Sequence, residues 1–184
     1  MLARIGVVLV DWVATFFVIL LLARFLLQWL RVPFRNPVGE FLIATTNWMV
    51  MPARRAIPSL AGLDSASFLL AFVLQLLALW LQAMILGLSP ALIALVAVAL
   101  VDLARFLLYI LVFSVIVQVV FSWVNPDAPL APVFDAIMRP FLRPIRRYVP
   151  PIGRVDLSPA ILFVVLQVLL LVVSTLHPAA AALG

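Results

Sequence analysis

Apolar positions in this chain come in runs long enough to cross a bilayer, and polar positions gather between the runs. Residues 5–30, 67–88, 103–124 and 158–176 are close to unbroken hydrocarbon. About 20 helical residues, at ~1.5 Å each, match a hydrocarbon core roughly 30 Å thick. The pattern predicts four membrane-spanning helices. The first carries Asp11 and Trp12 toward one end and Trp29 with Arg31 at the other, the anchors usual at a lipid–water boundary. Arg24 lies about 10 Å inside the second edge and reads as an anchor that snorkels outward. The second span opens after Asp64 and Ser65, either of which can cap it, and closes at Ser89-Pro90. The fourth opens with Asp156-Leu157-Ser158-Pro159, with Ser158 as cap and Pro159 in the first helical position. The tail from His177 onward is expected to be loose. The N-terminal run shows no small-residue cleavage site and reads as a retained first helix.

Three stretches need a decision. Residues 91–124 would reach about 51 Å as one helix, too far for a perpendicular span. The pattern divides them at Asp102, giving a peripheral helix over 91–101 and a span over 103–124. Arg105, three residues on, shares a helical face with Asp102 and is expected to pair with it. Between the first two spans, residues 41–51 are apolar but too short to cross, and predict a helix in the interface or dipping into the bundle. Between the last two, a short amphipathic piece at 133–138 leads into a basic, proline-stiffened connection, R-P-F-L-R-P-I-R-R-Y-V-P-P-I-G-R-V-D-L-S-P, over 139–159.

That connection repeats an earlier one. Pro52, Arg54, Arg55, Pro58 and Asp64 fall 92 positions before Pro144, Arg146, Arg147, Pro150 and Asp156. Gln75 and Gln167 keep the same offset, each about 16 Å into its span. The chain reads as an all-α membrane protein built by internal duplication of helix, basic connection with short helix, helix, with repeats at 1–90 and 91–184. Each repeat contains an even number of crossings, so both connections belong on one face and the duplication is parallel. A pseudo-two-fold axis along the membrane normal would follow. The two glutamines then either face one another or bond to their own helix or a different neighbour.

Composition changes the class and little else. At 67% hydrophobic and 10% charged, the chain lies far from a water-soluble balance. All 12 basic residues are arginine, which a G+C-rich genome explains more readily than selection for bidentate guanidinium chemistry. Nine of them lie in the two connections, and the opposite face offers little besides Arg4. By the positive-inside rule the connections are cytoplasmic, placing the chain as a multi-pass protein of a bacterial inner membrane.

Arg143, Pro144, Ile145, Arg146, Arg147, Pro150, Gly153, Asp156, Ser158 and Pro159, with the sparser first copy, resemble the YggT family of small bacterial integral membrane proteins, which has chloroplast relatives. The likeness spans both halves. The first copy departs from the pattern at Ala53 and at Ala66-Ser67. The resemblance implies a non-enzymatic role in membrane organisation. It also implies links to osmotic tolerance and cell division in bacteria, and to cytochrome b6f haem maturation and nucleoid arrangement in plastids.

Absences narrow the chemistry. With no cysteine and a single histidine, His177, there is no set of ligands for a metal or haem within one chain, and no cofactor is expected. No phosphate loop, nucleophile elbow or carboxylate pair stands out, so no catalytic residue is assigned. Asp127 and Asp135 read as solvated charge. Arg54, Arg55, Arg143, Arg146 and Arg147 are the candidate binding residues, for anionic lipid headgroups or an acidic membrane or cytoplasmic protein. Asp64, Asp156, Ser158, Pro159, Gln75 and Gln167 are candidate structural residues. No nucleic-acid partner is expected, and a homo-oligomer is a further candidate. A scaffold or assembly factor leads the function classes, ahead of an ion or osmolyte channel or transporter, with a lipid-modifying enzyme a distant third.

Overall fold

The computed structural model describes residues 1–57, 64–149 and 156–181, which form six helices and no strand. These are α1 (Leu2–Trp29), α2 (Pro37–Ala56), α3 (Ser65–Ile85), α4 (Leu92–Val124), α5 (Ala131–Tyr148) and α6 (Ser158–Ala181). Four of them, α1, α3, α4 and α6, are long and apolar enough to cross a membrane. Pro58, Ser59, Pro150, Pro151, Gly153 and Arg154 lie outside the described residues.

α1 packs on α3 with α2 laid against both, and α4 packs on α6 with α5 laid against both. α4 also touches α1 and α3, and so joins the halves. One buried cluster lies where α1, α4, α5 and α6 converge: Leu20, Leu26 and Leu27 meet Val115, Phe134, Met138, Leu142, Leu162 and Leu166. A second joins the first half to α4 through Val18, Leu21, Leu22, Val50, Ala71 and Leu103, all 2% exposed or less.

Helix ends follow local chemistry. Asn36 caps α2 by accepting the Gly39 N–H at 2.9 Å, with Pro37 in the first turn and Arg54 and Arg55 in the last, where the helix dipole favours cations. α1 and α3 both close with the residue after the cap in the left-handed region, Arg31 at φ 55° and Gly87 at φ 69°. The next amide then reaches back to the helix, Val32 N–H to the Leu27 carbonyl and Leu88 N–H to the Ala83 carbonyl, each at 2.9 Å.

Several elements differ from the expectations of the sequence. α4 is one continuous helix through Asp102, not a short helix and a span. No glycine or proline interrupts it, and Asp102 finds partners on three helices, so nothing forces a break. At ~1.5 Å per residue it is about 50 Å long, a length that membranes accommodate by tilt or projection. The interfacial piece over 41–51 extends to the whole of α2, and that over 133–138 to the whole of α5, so the basic stretch is helix up to Tyr148 rather than a proline hinge. Pro52, Pro140 and Pro144 stand on exposed faces, where the carbonyls four residues earlier, left without donors, can face water. The tail is helical through Ala181, in keeping with the high helix propensity of its alanines. Finally, α6 begins at Ser158, with Pro159 second, and the capping acceptor is Asp156 rather than Ser158.

Candidate functional site

α5 is sorted into two faces. Val133, Phe134, Ile137, Met138 and Leu142 are buried, while Arg139, Arg143, Arg146 and Arg147, spaced four, three and one apart, are exposed. This is the periodicity of an amphipathic helix with arginine along its polar stripe. Among the described residues, Arg139, Arg143 and Arg147 have no acidic partner, and neither does Arg55 in the last turn of α2.

Arg54 and Arg146 have a different employment. Arg54 lies 2.8 Å from Asp64, the residue that caps α3 by accepting from the Ser67 amide at 3.3 Å and hydroxyl at 2.6 Å. Arg146 lies 2.8 Å from Asp156, which accepts from the Ser158 amide at 2.9 Å. Both pairs tie the last turn of an amphipathic helix to the start of the following span. Burial alone would raise the Asp64 carboxyl, but hydrogen bonds from Arg54 and Ser67 and the Arg54 charge outweigh it and hold it below its ordinary range. Asp156 is likewise held low: burial opposes the charge, and Ser158 and Arg146 outweigh it.

The halves differ at the next residue in. Counting five back from the tryptophans that close α1 and α4, Trp29 and Trp123, gives Arg24 and Gln118. Arg24 is only 4% exposed, so it is not a snorkelling anchor. Its guanidinium donates to the buried Thr46 hydroxyl at 2.8 Å and to Asn47 at 3.3 Å on α2, and lies 3.5 Å from Asp64. Gln118 instead donates to Asp135 of α5 at 2.8 Å, so that acid is a helix-packing partner and not free solvated charge. The expectation of an anchor at Arg24 overlooks the high cost of an arginine inside a span, which calls for a buried acid nearby; Gln118, uncharged, carries no such signal in the sequence.

A second polar cluster lies toward the other face. The Asp102 carboxylate accepts from Gln75 of α3 at 2.9 Å, pairs with Arg105 at 3.3 Å as expected, and stands 3.5 Å from His177 Nε2 of α6. Arg105 continues to the Tyr109 hydroxyl at 3.5 Å. Gln75 therefore meets Asp102 and not Gln167, which is exposed on α6. Val18, Leu21 and Leu22 of α1 form one buried apolar cluster with Val50 of α2, Ala71 of α3 and Leu103 of α4. No group of three or more metal-ligating side chains is present among the described residues.

A family model described as CCB3/YggT matches this chain twice, over residues 3–85 and 97–177. The chain belongs to the CCB3/YggT family. The two matched segments correspond to α1–α3 and α4–α6, so the repeat seen in the arginine–aspartate pairs is a repeat of the CCB3/YggT unit. The chain is 31% identical over 176 residues to an uncharacterised protein of Pseudomonas aeruginosa, covering 93% of this chain and 89% of the relative. It is also 31% identical over 163 residues to YggT of Escherichia coli K12, covering 88% and 85% respectively. A Vibrio alginolyticus protein encoded in the proC 3' region is again 31% identical, covering 86% and 88%. No solved structure matches. Bacterial relatives of this kind and four apolar helices make the chain a multi-pass membrane protein of the YggT type.

Proposed function

We propose that the protein is a non-enzymatic scaffold or assembly factor of the bacterial inner membrane, whose cytoplasmic α2 and α5 engage anionic lipid headgroups or an acidic protein through arginine. The observation that carries this reading is the α5 stripe. Arg139, Arg143 and Arg147 are exposed opposite a buried face and have no acidic partner among the described residues, whereas Arg54 and Arg146 serve structural pairs. Each arginine near an anionic surface contributes about 1 kcal/mol, and a helix fixes their mutual spacing in advance. The parallel duplication and the concentration of arginine beside α2 and α5 support placing both helices on the cytoplasmic face. Roles in osmotic tolerance and division belong to the same proposal, as settings in which a membrane organiser would act.

The second reading, an ion or osmolyte channel or transporter, is favoured by Asp102, Arg105 and His177, because charged groups inside spans commonly mark transport paths. The buried apolar cluster of Val18, Leu21, Leu22, Ala71 and Leu103, with Ala71 between Asp64 and Gln75 along α3, favours the scaffold. Crosslinking and affinity capture from native membranes, comparing the natural chain with an Arg139→Gln, Arg143→Gln, Arg147→Gln variant, separates the readings. A scaffold recovers a stoichiometric partner or anionic lipid that the variant loses; equal recovery from both refutes it.

A further inference from the structure

Gln167 lies nine residues after Ser158 in α6, about 14 Å into the span. Its side chain is exposed and, among the described residues, nothing hydrogen-bonds to it. Its counterpart in the first repeat, Gln75, is 4% exposed and donates to Asp102 at 2.9 Å. The same amide at the same depth is thus partnered in one half and bare in the other. The difference lies in the packing: α4 covers the face of α3 that carries Gln75, while α6 packs on α4 and α5 and leaves Gln167 on an uncovered face.

Hydrocarbon offers an amide no hydrogen bond, so a side chain bare in the single chain calls for a polar partner from outside it. The surroundings of Gln167 say which. Ala160, Val164, Gln167, Leu171 and Ser174 are all exposed and follow one another at intervals of four, three, four and three residues. That is the seam of a left-handed helix pair, with the amide at its centre and small residues at both ends where backbones can approach. Ser174 satisfies its own hydroxyl on the Leu171 carbonyl at 2.7 Å, leaving the amide as the unmet group of the stripe. A carboxamide carries both donor and acceptor, so it complements a second carboxamide related by a two-fold axis.

We propose that α6 pairs with α6 of a second copy of this chain, the two Gln167 amides hydrogen-bonding across a two-fold axis along the membrane normal. Such a contact is isologous and closes at two copies. It uses a helix face distinct from the arginine stripe of α5, so it stands or falls separately from the scaffold reading.

The chain has no cysteine, so single cysteines report without background. They are placed on the stripe at Val164 or Leu171, or off it at Val165, Leu169 or Val172, which are 45%, 44% and 52% exposed. Each chain is crosslinked in native membranes with a short bis-maleimide. Stripe positions are expected to give a homodimer in high yield and the off-stripe positions little. Gln167→Leu on the Val164→Cys background should lower the dimer fraction about three- to tenfold, the effect of one interhelical hydrogen bond in a membrane, with Gln167→Asn restoring part of it. Equal yields at both sets of positions, a product containing a different protein, or an unchanged yield in Gln167→Leu would each overturn the proposal.

Discussion

Arg54 and Asp64, ten residues apart, close at 2.8 Å, and Arg146 and Asp156, 92 positions later and again ten apart, close at the same distance. The pairs differ in burial. Asp64 is 1% exposed at its side chain and Asp156 31%, because only the first repeat adds Arg24 behind its acid.

That difference sets the first expectation. Asp64→Ala strands a buried arginine and should destabilise the protein by about 3–5 kcal/mol, the usual result of removing one partner of a buried ion pair. Asp156→Ala breaks a solvent-facing pair and should cost about 1 kcal/mol or less, together with the loss of a helix cap. Denaturant unfolding in matched micelles would compare them, and equal losses would contradict the assigned asymmetry.

The Asp64 carboxyl sets a second. Its folded value lies below the unfolded one, so its stabilisation is complete above the ordinary aspartate range near pH ~3.9 and is lost as pH falls through the folded value. Thermal unfolding in micelles should therefore show stability flat near neutrality and falling below about pH 4, with a shallower fall in Asp64→Asn.

Arg31 provides a third. It occupies a left-handed conformation at φ 55°, where Gly87 serves the equivalent end of α3. Arg31→Gly removes the steric penalty and should stabilise the protein by about 1 kcal/mol, visible as a raised midpoint of unfolding. A lowered midpoint would show that the arginine makes a contact worth more than its strain.

A fourth concerns the intramembrane glutamines. A double-mutant cycle of Gln75→Leu with Asp102→Leu should show coupling on the order of 1 kcal/mol, since the side chains touch. The cycle of Gln75→Leu with Gln167→Leu should be additive in the single chain.

The four spans and the doubled arginine–aspartate motif were legible because hydropathy and a fixed offset need no tertiary information. The continuity of α4 was not, since Asp102 looks like a break until Gln75, Arg105 and His177 are seen around it. α5 was obscured by Pro140 and Pro144, which local rules count as helix breakers and which the exposed face of an amphipathic helix tolerates. Within the basic cluster the type of residue was readable and the division of labour was not: only the fold shows that Arg54 and Arg146 are held by acids while Arg143 and Arg147 remain open.

The central claim, that the α5 stripe meets an anionic partner, is tested most directly by photo-crosslinking in living cells. A photoreactive residue is placed at Arg143, with a control at the exposed Leu171 of α6. We expect Arg143 to yield a saturable adduct with one protein species or with anionic phospholipid, weakened when Arg139 and Arg147 are changed to glutamine. An adduct profile at Arg143 that matches Leu171, and does not respond to those changes, would contradict the claim.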